Sequence, residues 1–96
     1  MKIVICDDCR EDLIKVERLL LSYEESHDTQ FEVEKYSDAL QVYHKILQNE
    51  LADIYILDMI MPEKTGIDIG NLLEKSGKCA VIYITSSDEF ALEAYG

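Results

Sequence analysis

Three short stretches of this chain end in residues that could do chemistry together. Asp7 and Asp8 follow the apolar run Ile3-Val4-Ile5-Cys6, and Asp58 ends a second run, Ile54-Tyr55-Ile56-Leu57. A third run, Cys79-Ala80-Val81-Ile82-Tyr83-Ile84, leads into Thr85. Each run is continuous rather than alternating, which is how a strand buried on both faces reads. Open α/β sheets hold their ligand sites at the carboxyl ends of such strands. If these ends are neighbours, three carboxylates meet in one crevice and cannot all ionise cheaply without a counter-cation. Oxygen-only ligation suits Mg²⁺, which keeps several waters and takes one or two carboxylates plus phosphate oxygens. A carboxylate nucleophile, a Mg²⁺ site and a hydroxyl at Thr85 together describe phosphoryl transfer onto an aspartate.

The rest of the chain supplies elements able to bring these ends together. Lys2 to Cys6 reads as a first strand. From Arg10 to about Glu25, Leu13, Val16, Leu20 and Tyr23 recur at helical spacing, with Glu11 and Asp12 in the first turn, where the helix dipole favours negative charge. After the polar break His27-Asp28-Thr29, Phe31-Glu32-Val33-Glu34 alternates apolar and charged residues, the pattern of a half-exposed edge strand. Ser37 is placed to cap a second helix running to about Asn49, with Ala39, Tyr43, Ile46 and Leu47 inward. Asp53 to Asp58 is the central strand. Pro62 then bars a helix at Met61, and Thr65 with Asp68 opens a third helix, Gly66 to about Ser76, with Ile69, Leu72 and Leu73 inward. Gly77 suits its C-terminal turn. Ser86 and Glu89 form a capping-box pair for a fourth helix, Asp88 to Tyr95. Right-handed crossovers build a parallel sheet from this β-α alternation. The alternating second strand belongs at an edge, which gives order 2-1-3-4 with the topological switch between strands one and three.

Composition excludes several alternatives. Ninety-six residues make one small domain, and 48% hydrophobic with 30% charged residues reads as globular. A net charge of −11 argues against a nucleic-acid-binding surface here, because phosphate contact needs a basic patch. Asp7 and Asp8 interrupt the first apolar run too soon for a signal segment, and no run approaches the roughly 20 apolar residues of a membrane span. Three cysteines do not form a disulfide framework. The expectation is a cytoplasmic domain.

The order and spacing of Asp7-Asp8, Asp58, Pro62, Gly66 and Thr85 resemble the receiver domain of two-component response regulators, over essentially all 96 residues. The resemblance implies an α/β, flavodoxin-like open parallel sheet and a regulatory domain that turns over no external metabolite. Asp58 would accept the phosphoryl group from a phosphohistidine on a sensor histidine kinase. Asp8 and Asp58 would bind Mg²⁺ directly with the backbone carbonyl of Ile60, Asp7 mainly through water, and Thr85 would be the switch hydroxyl. The segment Thr85 to Tyr95 looks most like regulators with a LytTR-type DNA-binding output domain. Family members also carry a fifth strand and helix with a lysine at the site. The expectation is therefore a receiver domain, residues 1–96, incomplete at its C-terminus, its outermost strand edge inviting a homodimer.

Other features have plainer readings. Alone, Asp7-Asp8 could simply open a turn before a helix; paired with Asp58 across a switch point they point to a site. Cys6-Asp7-Asp8-Cys9 has the C-x-x-C spacing of redox and zinc motifs. It has no second pair, though, and Cys6 reads as a core residue. His27 and His44 are expected at the surface, and Met59 and Met61 over apolar surface or a partner. Ile60 offers no polar group to orient an attacking water, which implies a long-lived phosphoaspartate. Ile60 also stands where a dehalogenase-like phosphatase needs a second aspartate. The alternative function is a pseudo-receiver, an interaction module that works without phosphorylation.

Overall fold

The computed structural model of the chain describes residues 1–59, 66–77 and 79–84. Its elements alternate as β1 (Lys2–Cys6), α1 (Arg10–His27), β2 (Glu32–Tyr36), α2 (Ala39–Leu47), β3 (Ile54–Asp58), α3 (Gly66–Glu74) and β4 (Ala80–Ile84). The strands form one parallel sheet ordered β2-β1-β3-β4, as the sequence predicts. The expected fourth helix, Asp88 to Tyr95, lies outside the described residues.

Successive side chains of a strand point to opposite faces, and β1 uses this to serve two cores. Ile3 and Ile5 pack with Leu13 of α1 and Ile56 of β3. Val4 and Cys6 face the other way, among Val42 and Ile46 of α2, Tyr55 and Leu57 of β3, and Ile69 and Leu73 of α3. The register holds these layers in step, with Ile3 opposite Ile54 and Ile5 opposite Ile56. At the amino end of the sheet Asp53 ties three strands together. Its carboxylate and its backbone N–H both meet Lys2, at 2.8 and 2.9 Å, and its carbonyl accepts from the Ala80 N–H at 3.0 Å.

Several local expectations change. Helix α1 continues to His27 and ends on Asp28 in the left-handed region (φ 49°). Strand β2 begins at Glu32 and reaches Tyr36, two residues beyond the alternation that revealed it. Helix α2 is capped by Asp38, whose carboxylate accepts from the Leu40 N–H at 3.0 Å, not by Ser37. Its buried face uses Val42 with Ala39 and Ile46, whereas Leu47 is 58% exposed. Tyr23 is likewise outside the core, stacked on His27 at 3.9 Å. Gly77 takes φ 66° in the turn after α3, as expected. Strand β4 reads as fully apolar yet is exposed or half-exposed along its length. Among the described residues it pairs only with β3.

Candidate functional site

The crevice lies at the carboxyl ends of β1 and β3, the pair between which the sheet changes direction. Carboxylate oxygens of Asp7, Asp8 and Asp58 all come within 4.8 Å of one another there. Asp7 and Asp58 are buried, and Asp8 stands at the solvent side. Backbone contacts fix each of the buried pair. The Asp7 N–H donates to the Tyr36 carbonyl at 3.1 Å, extending the β1–β2 ladder by one residue. The Asp7 carboxylate turns back to accept from the Cys9 N–H at 2.9 Å, next to the start of α1. Asp58 pairs with Ile84 in the β3–β4 register, and the following N–H, of Met59, donates to the Ile84 carbonyl at 3.0 Å. Behind it, α3 begins at Gly66 directly on the Asp58 backbone, where a β-carbon would strike the Asp58 carbonyl oxygen.

Electrostatics follow from this crowding. Burial pushes the Asp7 carboxyl up from its ordinary 3.8 to about 7. The Cys9 N–H opposes the shift, while the charge on Asp58 and a side-chain hydrogen bond with it add to the rise. A cation would relieve the cost of ionising a buried carboxyl beside two more carboxylates. The donor set, oxygen throughout with one solvent-facing member, fits Mg²⁺ and its retained waters. The described ion pairs, Lys2–Glu34 at 3.5 Å and Lys35–Glu17 at 3.0 Å, lie on the β2 side of the sheet.

Of the predicted site residues, the structure brings Asp7, Asp8 and Asp58 together. Ile60, Pro62 and Thr85 lie outside the described residues. Sequence reading did not separate the buried Asp7 from the exposed Asp8. It also missed the Cys9 backbone N–H that holds Asp7. The redox alternative loses support. No disulfide joins Cys6, Cys9 and Cys79, and Cys6 is fully buried. Burial and the surrounding acids raise the Cys6 thiol to about 12, the opposite of an activated thiolate. His27 and His44 are exposed, as expected.

The comparisons with known proteins agree with this geometry. The family model described as the response regulator receiver domain matches residues 3–95. The transcriptional regulatory protein BtsR of Salmonella typhi is 28% identical over 98 residues, covering 99% of this chain and 38% of that protein. The transcriptional regulatory protein SrrA of Staphylococcus aureus (strain NCTC 8325 / PS 47) is 33% identical over 88 residues, 92% of this chain and 34% of its own length. The chain thus spans little more than a third of these curated relatives. Among solved structures, a two component transcriptional regulator AraC from Clostridium phytofermentans ISDg superposes with a TM-score of 0.66 at 22% identity, covering 98% of this chain and 71% of that one. With the parallel sheet and its acidic crevice in place, the chain belongs to the response regulator receiver domains of two-component systems.

Proposed function

We propose that this chain is a phosphoacceptor domain, modified on Asp58 by a sensor histidine kinase and switching an attached output domain. The observation that carries this is the gathering of Asp7, Asp8 and Asp58 within 4.8 Å at the switch point of the sheet. A carboxylate oxygen of Asp58 attacks the phosphorus of the donor. The bond from phosphorus to the donor imidazole breaks, and an acyl phosphate remains on Asp58. The β3–β4 ladder and the contact with Gly66 fix the Asp58 backbone for this step. Asp7 and Asp8 would hold Mg²⁺ with Asp58 and the Ile60 carbonyl, and the ion would neutralise charge on the phosphoryl oxygens. Thr85 would supply the switch hydroxyl.

The partners in this proposal are the kinase and an output domain. The names of the relatives support a transcriptional output, and the segment Thr85 to Tyr95 favours the LytTR type. Among the described residues no helix is long and apolar enough to cross a membrane, which is compatible with a cytoplasmic regulator. The outer edge of β4 supports a homodimer, and a strictly monomeric sedimentation profile at high concentration would argue against one.

The test is intact-mass analysis after incubation with Mg²⁺ and acetyl phosphate. It uses this chain, its Asp58→Ala variant, and a form extended through the fifth strand and helix that the resemblance implies. A single phosphoryl adduct on the extended form, absent from the variant, is the expected result. A folded extended form that takes no adduct would instead be a pseudo-receiver.

A further inference from the structure

Helix α3 carries two glycines one turn apart, Gly66 and Gly70, and both are buried. Residues four apart lie on one helix face, so a single line of α3 approaches the sheet without side chains. Gly66 rests on the Asp58 backbone and comes close to the Leu57 side chain. Gly70 faces Tyr83 of β4, and a methyl group built on it would fall on the Tyr83 hydroxyl. A glycine inside a helix weakens it relative to alanine, so its presence here calls for a reason. The Tyr83 hydroxyl, with the ring carbon that bears it, fills the space an alanine side chain would take. Tyr83 sits opposite Leu57 in the strand register, one residue before the Asp58–Ile84 pair.

We infer that Tyr83 is a positioning residue for the acidic site, acting through α3: its hydroxyl, seated in the notch at Gly70, sets how closely α3 approaches Asp58. The inference rests on the proposed role of Asp58 and extends it to a residue outside the crevice. The geometry works as a two-point seat. At one end α3 touches Asp58 through Gly66, and one turn along it touches β4 through Tyr83. Filling the notch forces the tyrosine out or lifts the helix, and lifting the helix draws Gly66 off the Asp58 carbonyl. Mg²⁺ demands near-ideal octahedral geometry, so a displaced Asp58 is read directly as weaker metal binding.

The experiment is a double-mutant cycle on Gly70→Ala, Tyr83→Phe and the pair together. Mg²⁺ affinity is measured by calorimetric titration and stability by thermal melting in EDTA. Gly70→Ala should weaken Mg²⁺ binding about tenfold, Tyr83→Phe no more than about threefold, and the pair should recover part of the Gly70→Ala loss, because the ring carbon Cζ still lies 2.9 Å from the added methyl. Tyr83→Phe keeps the ring and guards against a variant that simply fails to fold. Two results would overturn the inference: a folded Gly70→Ala protein with wild-type Mg²⁺ affinity, or a pair no better than Gly70→Ala alone. The first of these, even with a loss of stability, would reduce the contact to packing. An Asp58→Asn control separates the two readings. If wild-type binding does not depend on Asp58, the site reading fails and the positioning role with it, while the melting cycle still reports whether the hydroxyl and the notch are complementary.

Discussion

Asp7→Asn tests the electrostatics of the site while leaving Asp58 in place. Folding raises the Asp7 carboxyl from 3.8 to about 7, so between these values the folded chain holds a proton that the unfolded chain has released. Stability contributed by this group therefore falls as pH rises through that window, and the full penalty is present above it. A tenfold change in proton affinity is about 1.4 kcal/mol, which makes the whole displacement worth at most about 4 kcal/mol. Solvent entering from the Asp8 side lowers the expected penalty to about 1–3 kcal/mol. Asparagine removes the charge and keeps an oxygen to accept from the Cys9 N–H. In EDTA at pH 7.5 the variant should thus be more stable than wild type by about 1–3 kcal/mol, a rise of several degrees in melting temperature for a domain of this size. At pH 4 the difference should vanish. Added Mg²⁺ should stabilise the wild type and have little effect on the variant. Urea and thermal unfolding at both pH values, with and without Mg²⁺, read all of this. A variant less stable than wild type at pH 7.5 in EDTA, or a gain that does not depend on pH, would refute the reasoning.

Three further outcomes follow from other parts of the structure. Iodoacetamide at pH 8 should label the exposed Cys9 at least about a hundredfold faster than the buried Cys6, as read by peptide mass mapping. Tyr55→Phe removes the hydroxyl that accepts from the buried Ala52 N–H at 2.9 Å, and urea titration should show a loss of about 1–2 kcal/mol. In the extended, phosphorylated protein, a polar residue at Ile60 should shorten the phosphoaspartate lifetime in a timed mass assay; an unchanged decay rate would remove Ile60 as its cause.

Much of the fold was legible because each strand type leaves its own trace. The continuous runs at Ile3 to Cys6 and Ile54 to Leu57 named the central pair, and the charged alternation at Glu32 to Glu34 named an edge. The same rule fails at β4. Its apolar run matches that of a central strand, but Ile82 is 49% and Tyr83 38% exposed. An apolar run records what a strand is able to bury, and its neighbours decide what it does bury. The cap of α2 was misplaced by one residue because Ser37 and Asp38 are both good caps, and backbone geometry chose between them. Leu47 follows the buried Ile46 but is turned about 100° around α2 from it, and Tyr23 stacks on His27 and Phe31 instead of entering the core. In the site, the three acidic residues were readable from strand ends and order. The burial of Asp7 beside an exposed Asp8 was not, since it depends on how the chain turns after β1. The notch at Gly70 was also invisible, because it joins residues thirteen positions apart through a packing contact that leaves no pattern in either element.

Strand β1 has one more consequence. It is hydrogen-bonded on both sides and supplies alternate residues to the cores on both faces of the sheet. Loss of β1 removes residues from both cores at once. The two layers should therefore melt as one cooperative unit, with the amides of Ile3 to Cys6 exchanging only through global unfolding. The acidic crevice is built on the end of that strand, so Asp7 is anchored to the last part of the molecule to come apart.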